Sequence, residues 1–172
     1  MLPDILAWIF GIGAVISLFS SYQQTERKKL IKFKLSADVF WVGHYICLAA
    51  YSGGIANFAG ILREIVFLYR EDKKWASSVI WPILFVVIGW GLGFRTFKSP
   101  INILPIVAST FATLAFWLKN PKFTKVISAP ASAFFLIYDI VIGSYVGAAN
   151  EVMVLSSILI SFMKGHQKKE VK

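Results

Sequence analysis

The chain has 172 residues, of which 57% are apolar and only 16% are charged, with a formal net charge of +9. A soluble domain of this size keeps roughly a third of its unfolded surface in water, so it has no room to bury so much apolar surface. The composition and the single Cys47 exclude a soluble globular enzyme, a disordered chain and a disulfide scaffold. They predict an all-α protein embedded in the lipid bilayer.

Seven apolar stretches are long enough, or nearly so, to cross the bilayer as helices of about 20 residues. The first five are predicted at 3–21, 35–52, 55–70, 75–94 and 101–118. The division after residue 52 rests on Gly53-Gly54, because adjacent glycines indicate a turn. The last stretch, 126–164, holds too many residues for one helix, and we divide it near Gly147 to Asn150.

The distribution of lysine and arginine predicts an orientation, because these residues collect in short cytoplasmic loops. With seven spans, fifteen of them fall on one side and only Arg95 and Lys98 on the other, while Arg63 lies inside the third helix. The N-terminus is therefore predicted outside and the C-terminus in the cytoplasm. Since the basic residues lie beside helix ends, the expected partner is the lipid bilayer, and nucleic acid is not expected to bind.

A shift of the chain by 93 residues aligns the first three helices with the last three. Gly54-Ile55-Ala56-Asn57 then meets Gly147-Ala148-Ala149-Asn150, and Tyr45 meets Tyr138. Parallel repeats of this kind occur in transporters. The predicted fold is two parallel three-helix repeats joined by a linker helix: a first bundle at 1–70, the linker at 71–98, a second bundle at 99–164 and a basic cytoplasmic tail at 165–172.

Four short stretches carry a family resemblance: Thr25-Glu26-Arg27-Lys28, Gly43-His44-Tyr45, Asn102-Ile103-Leu104-Pro105-Ile106 and Ile142-Gly143-Ser144. With these, the whole chain resembles the YgjV family of bacterial inner-membrane proteins. Its helix pattern is similar to that of the wider PQ-loop and SWEET superfamily, which includes sugar and vitamin-precursor facilitators. This resemblance implies a location in the bacterial inner membrane and a substrate site between two triple-helix bundles.

The same resemblance implies particular site residues. An asparagine from the third helix of each bundle contacts the substrate in that superfamily, and Asn57 and Asn150 match these positions. Trp41 matches one member of a tryptophan pair over the substrate, with Phe134 at the second position. The Pro-Gln pair after the first helix is absent, and Ser21-Tyr22-Gln23-Gln24 stands there instead.

Polar residues within the apolar stretches indicate a cavity, because ionisable groups in the bilayer need a partner or a function. Two stripes with helical spacing are predicted to face one central cavity: Asn57, Gly60 and Glu64, and Asn150, Met153 and Ser157. Asp139 is predicted deep in the sixth helix, as a cation or proton site or as an aspartate neutralised by its surroundings. Glu64 is expected to pair with His44 or with a basic residue across the cavity.

Several of these residues have a second interpretation. Asn57 and Asn150 also fit helix caps, because each follows a predicted turn. His44 is either a proton shuttle or a hydrogen-bonded core histidine. Asp38 and Glu151 are interpreted as acidic residues at helix starts. Arg63 is expected to point away from Glu64 and to reach the membrane surface.

Small residues and proline predict packing and hinge positions. Gly89 and Gly93 form a G-x-x-x-G pattern in the linker helix, which permits close packing on a bundle or on a second protomer, so a homo-oligomer is possible. Gly54, Gly147 and Pro105 are candidate hinges. The sequence carries no nucleotide-binding, hydrolase or metal-site motif, and we expect no enzyme activity, cofactor or metal.

Two functions remain open on the sequence. The first is a secondary transporter or facilitator of a small polar solute, with a midplane site exposed to each side in turn. The alternative is a membrane partner or assembly subunit that moves no solute. Uptake by purified protein in vesicles discriminates between them.

Overall fold

The computed structural model describes residues 2–22, 24, 26–118 and 121–170, which are helical apart from short connections. Seven α-helices lie within them: α1 (Leu2–Tyr22), α2 (Arg27–Cys47), α3 (Tyr51–Leu68), α4 (Ile80–Arg95), α5 (Ile103–Trp117), α6 (Pro121–Val141) and α7 (Tyr145–Glu170). Short 3₁₀ turns precede α4 and α5, at Lys74–Ser77 and Pro100–Asn102. The all-α expectation is thus confirmed for these residues.

Six of the seven helices pack in two groups of three. α2 packs against both α1 and α3, and α6 packs against both α5 and α7. The groups meet where α3 contacts α5 and where α1 contacts α7, while α4 packs against α3 and α5. The centre of the molecule therefore lies between the two groups of helices.

The outer surface is apolar and much of the interior is polar, as a lipid environment favours. α1 exposes Ile5, Ile9, Ile12, Ile16 and Phe19 along one stripe. Within the described residues, Pro3–Ser21 and Pro100–Trp117 are long and apolar enough to cross a membrane, and three shorter apolar segments lie in α4, α6 and α7. α2 and α3 carry charged side chains that lower their hydropathy.

The turn between α2 and α3 lies earlier than predicted. It comprises Leu48 to Ala50, where Ala49 has a φ of 53°, and Gly53 and Gly54 lie inside α3. A Cβ atom on Gly53 would lie 2.9 Å from the Tyr45 ring and 3.0 Å from the Tyr138 ring. The glycine therefore makes room for two tyrosines instead of making a turn.

The second predicted break is also displaced. α6 ends at Val141, Gly143 takes a φ of 74°, and α7 begins at Tyr145, so Gly147 to Asn150 are helical. Asp139 consequently lies in the last turn of α6, instead of about eight residues from a turn. α7 continues through the predicted tail to Glu170, and residues 171–172 lie outside the described part.

Equivalent helix boundaries recur 94 residues apart. α2 begins at Arg27 and α6 at Pro121, both have 21 residues, and α3 and α7 begin at Tyr51 and Tyr145. The two residues with positive φ, Ala49 and Gly143, have the same separation. The helix boundaries thus differ by one residue from the predicted shift of 93, so Asn57 corresponds in position to Glu151 instead of Asn150.

The predicted packing and hinge residues have mixed outcomes. Gly93 packs against Ile106 of α5, whereas a Cβ on Gly89 would meet no atom within 4 Å. Of the two glycines in the G-x-x-x-G pattern, Gly93 therefore makes a close helix contact among the described residues and Gly89 does not. Pro105 is the third residue of α5, where a proline costs no helical hydrogen bond, so it does not kink the helix.

Candidate functional site

A cavity of about 70 Å³ lies between the two groups of helices. Its polar lining comes from α2, α3, α6 and α7 and consists of Lys34, Asp38, Asn57, Ser128, Ser132 and Glu151. Three aromatic residues, Trp41, Phe116 and Phe135, also line it. We call this space the central cavity. Its mixture of charged, amide, hydroxyl and aromatic groups is typical of a site for a small polar solute.

The central cavity has matched walls. Ten of its thirteen lining residues pair at the 94-residue separation of the helix boundaries: Leu18 with Ala112, Lys34 with Ser128, Asp38 with Ser132, Trp41 with Phe135, and Asn57 with Glu151. On α2 and on α6 the lining residues have the same spacing of i, i+4 and i+7, which places them on one helix face. Equivalent faces of the two groups therefore meet at the cavity.

Four charged side chains form an ion cluster beside the cavity: Lys34, Asp38, Arg63 and Glu64. Arg63 Nη2 lies 3.0 Å from Glu64 Oε1 and 3.9 Å from Asp38 Oδ2. Lys34 Nζ lies 3.5 Å from Glu64 Oε1 and also pairs with Asp38. The cluster contains two positive and two negative groups, so its charges balance.

The ion cluster corrects three predictions. Asp38 lies in the middle of α2 and is 1% exposed, so it does not mark a helix start. Arg63 is buried and donates to Thr113 Oγ1 at 2.9 Å, so it does not reach the membrane surface. Arg63 and Glu64 were expected to point apart, but their long side chains meet. Of the two partners expected for Glu64, a basic residue and not His44 is found.

A second polar network surrounds Asp139 and contains no ion pair among the described side chains. Tyr45 donates its hydroxyl to Asp139 Oδ1 at 2.8 Å, while Asp139 Oδ2 receives no hydrogen bond from the residues that the structure describes. The Asp139 backbone carbonyl accepts from Ser144 N at 2.8 Å. A Cβ on Gly147 would lie 2.5 Å from Asp139 Oδ2, so the glycine permits the carboxyl group to sit against α7.

His44 extends this network to α1. Its Nδ1 lies 2.8 Å from the Ala7 carbonyl oxygen and its Nε2 lies 2.7 Å from Ser144 Oγ. Because a carbonyl oxygen only accepts, Nδ1 donates, and a neutral imidazole then accepts from Ser144 at Nε2. His44 is thus a fully hydrogen-bonded core residue in this conformation.

A second cavity, of about 230 Å³, lies at the end of the molecule where α6 turns into α7. Its lining includes Trp8, His44, Ser144 and Tyr145, and we call it the end cavity. His44 lines the end cavity and Trp41, one turn earlier on α2, lines the central cavity. Their ring centroids are 5.2 Å apart. Each cavity is therefore lined by one ring of this contacting pair.

The predicted site residues fall into three groups. Trp41 and Asn57 line the central cavity, whereas Glu64 lies in the ion cluster and His44 and Asp139 lie in the second network. Asn150 is buried and donates to Glu151 Oε1 at 3.0 Å. Ser157 is exposed on the outer surface, as is Met153, so the predicted second stripe does not face the cavity.

The capping interpretation is wrong for both asparagines. Asn57 is the seventh residue of α3 and Asn150 the sixth of α7, beyond the first turn in each helix. Asn57 Nδ2 donates to the Gly53 carbonyl oxygen at 2.9 Å. Glu151 likewise does not begin its helix.

Sequence reasoning missed several cavity residues: Lys34, Asp38, Ser128, Ser132, Phe135 and Glu151. The matching i, i+4, i+7 sets on α2 and α6 were the signal that could have identified the first five. The described residues contain no group of three His, Cys, Asp or Glu side chains able to hold a metal ion.

The end of the molecule at which α2 begins is basic. Arg27 Nη1 donates to the Phe67 carbonyl oxygen at 3.1 Å, and Arg70 donates to the Trp117 carbonyl oxygen. Burial and the nearby charge of Arg27 lower the pKa of Arg70, but an arginine in a protein stays protonated at neutral pH. These arginines connect the start of α2 to the end of α3, and the end of α3 to the end of α5.

Comparison with known proteins places the chain in a family. No solved structure matches it. It is 23% identical over 108 residues to the inner membrane protein YgjV of Escherichia coli (strain K12), an alignment that covers 61% of this chain and 55% of that protein. Residues 5–169 match the family Imp-YgjV, described as bacterial inner membrane protein. Because this match covers nearly the whole chain, the protein belongs to the YgjV family of bacterial inner membrane proteins.

Proposed function

We propose that the protein is a facilitator or secondary transporter of a small polar solute, and that the central cavity holds the solute. In this proposal all seven helices span the inner membrane, with the N-terminus outside and the C-terminus in the cytoplasm. The apolar outer surface and the polar interior support this arrangement, because lipid-facing side chains are apolar and intramembrane polar groups face a cavity or each other.

One observation carries the proposal: two cavities lie in sequence along α2, and the contacting rings of Trp41 and His44 line one cavity each. A carrier requires a site that is closed toward one side while it can open toward the other. Separation of these two rings would join the central cavity to the end cavity. The ring contact would therefore act as a gate.

The matched walls of the central cavity support a rocking movement. Transporters with parallel repeats place the solute between their halves, and the halves tilt around it. The repeated helix boundaries and the paired cavity residues are consistent with this design. The bonds from Tyr45 to Asp139 and from His44 to Ser144 join α2 to the second group of helices. They would break when the end cavity opens.

The proposal is tested by stopped-flow light scattering of proteoliposomes in gradients of glycerol, urea and methylammonium chloride. At least one solute should enter faster than in protein-free vesicles, and Trp41→Ala should change that rate. Trp75→Ala is the control, because Trp75 is 52% exposed outside the helices that line the cavity. Folded protein that moves none of the three would favour the alternative, a membrane partner without solute flux.

The proposed orientation has its own test. A reporter that is active only in the cytoplasm, fused after Lys172, should be active, and the same reporter fused after Thr96 in the loop between α4 and α5 should be inactive. The opposite pattern would reverse the orientation without affecting the cavity.

A further inference from the structure

We infer that the central cavity binds a small monovalent ammonium cation, of the size of methylammonium or ethylammonium. This inference names the solute class for the proposed function and rests on the same cavity. It is carried by the charge balance around the cavity, by the aromatic lining and by the cavity volume.

The acidic and basic groups around the central cavity are unequal in number. Among the described residues that line it or belong to the ion cluster, the carboxyl groups are those of Asp38, Glu64 and Glu151 and the basic groups are those of Lys34 and Arg63. The ion pairs described above bind both basic groups to Asp38 and Glu64. Glu151 has no ion pair with any described residue, and its Oε1 accepts from the neutral amide of Asn150 at 3.0 Å. The surroundings therefore contain one more carboxyl group than basic groups.

Asp38 offers a second acceptor. Its side chain is 1% exposed and lines the cavity, and its Oδ2 receives no hydrogen bond from the described residues. Arg63 Nη2 lies 3.9 Å from that atom, and the oxygen lies beside Gly60 of α3. An ammonium group has several N–H donors and no acceptor. It complements a cavity whose lining includes the carboxyl groups of Asp38 and Glu151.

Aromatic rings favour the same kind of ligand. Trp41, Phe116 and Phe135 line the cavity, and the face of an aromatic ring attracts cations. The chain already uses this attraction, because Lys34 Nζ lies 5.6 Å and Arg63 Cζ lies 5.8 Å from the centre of the Phe116 ring. Among the described residues, no cation lies over the ring of Trp41 or Phe135, and both rings line the cavity.

The volume limits the ligand. The central cavity has a volume of about 70 Å³, which favours a ligand of only a few non-hydrogen atoms. Methylammonium and ethylammonium are of this size. Tetraethylammonium is much larger and should be excluded.

The test measures the thermal stability of the purified full chain in detergent against ethylammonium chloride, at constant ionic strength. A ligand that binds the folded state raises the melting temperature with concentration. The wild type should be stabilised by ethylammonium and not by sodium chloride, ethanol or tetraethylammonium chloride. Ethanol has the size of the ligand without its charge, so it separates cation binding from simple filling.

Glu151→Gln should weaken the apparent affinity for ethylammonium at least tenfold. Glu71→Gln is the matched control, because it removes the same charge from an exposed side chain at the basic end. Unchanged affinity in folded Glu151→Gln, or stabilisation of the wild type by ethanol equal to that by ethylammonium, would overturn the inference. The wild-type comparison decides the matter if Glu151→Gln does not fold.

The binding test and the flux test fail separately. Ethylammonium binding without any uptake into proteoliposomes would support the inference and contradict the transport proposal. Uptake of glycerol or urea without ethylammonium binding would support transport and contradict the inference about the solute class.

Discussion

Asp38 and Asp139 are equally buried, each 1% exposed, yet the chain accommodates them in opposite ways. Asp38 lies in the ion cluster, where Lys34 and Arg63 supply positive charge. Asp139 meets only neutral groups among the described side chains, with the Tyr45 hydroxyl as its donor. An ion cluster depends on the balance of its members, whereas a neutral network depends on shape and single hydrogen bonds. The two regions should therefore respond differently to the same kind of substitution.

The largest effect is expected from Arg63→Met. This change leaves Asp38 and Glu64 with Lys34 as their remaining cation, and removal of one partner from a buried ion pair costs about 3–5 kcal/mol. Denaturant unfolding of the protein in detergent measures the loss of unfolding free energy. The double variant Arg63→Met/Glu64→Met keeps the charges balanced and should lose much less. Equal losses in the single and double variants would show that charge balance is not what stabilises the cluster.

A smaller effect is expected from Gly147→Ala in the Asp139 network. The added Cβ would lie 2.5 Å from both Asp139 Oδ2 and Ser144 Oγ, and overpacking of this kind costs about 1–3 kcal/mol. Gly89→Ala is the control, because its Cβ would enter open space. The same unfolding measurement should find Gly89→Ala unchanged or more stable. If Gly147→Ala is as stable as the wild type, the Asp139 and Ser144 side chains shift to accept the added methyl group at little cost.

Tyr45→Phe should cost about 1 kcal/mol, because it removes one hydrogen bond to Asp139 and little packing. Tyr51→Phe is the control on an exposed ring, 56% accessible. Comparison of the two unfolding free energies isolates the buried hydroxyl. Equal losses of unfolding free energy in both variants would show that the hydrogen bond from Tyr45 to Asp139 does not stabilise the protein.

The smallest effect is expected from Asp139→Asn, within about 1 kcal/mol of the wild type, because the amide keeps an oxygen for Tyr45 and needs no cation. Asp38→Asn, its counterpart in the ion cluster, should cost several-fold more, because it leaves two cations against Glu64. Reversal of this order would contradict the distinction between the two regions.

The sequence predicted the number and order of the helices well, and the site only in part. The length of each apolar stretch and the positions of the charged residues are read directly from the sequence, so all seven helices were expected. The turns were misplaced because glycine serves two purposes: Gly53 was taken as a turn residue, but it makes room for the rings of Tyr45 and Tyr138. The resulting error of one residue in register exchanged Glu151 for Asn150.

The ion cluster could not be predicted from the sequence, for a different reason. Asp38 and Arg63 lie on different helices, and their pairing depends on how α2 and α3 pack, which no spacing rule within one helix contains. Trp41 and Asn57 were predicted to line a central cavity, and both line it.

The unequal walls of the central cavity have a consequence for assembly. In a symmetric dimer every residue on the axis occurs twice. Two copies of the first three helices would thus bring two Lys34–Asp38 pairs and no Glu151 to one small space. A single chain escapes this duplication: Ser128 and Ser132 stand where a second lysine and aspartate would be. Because its two halves have separate sequences, this chain can place an odd number of charged groups at one cavity.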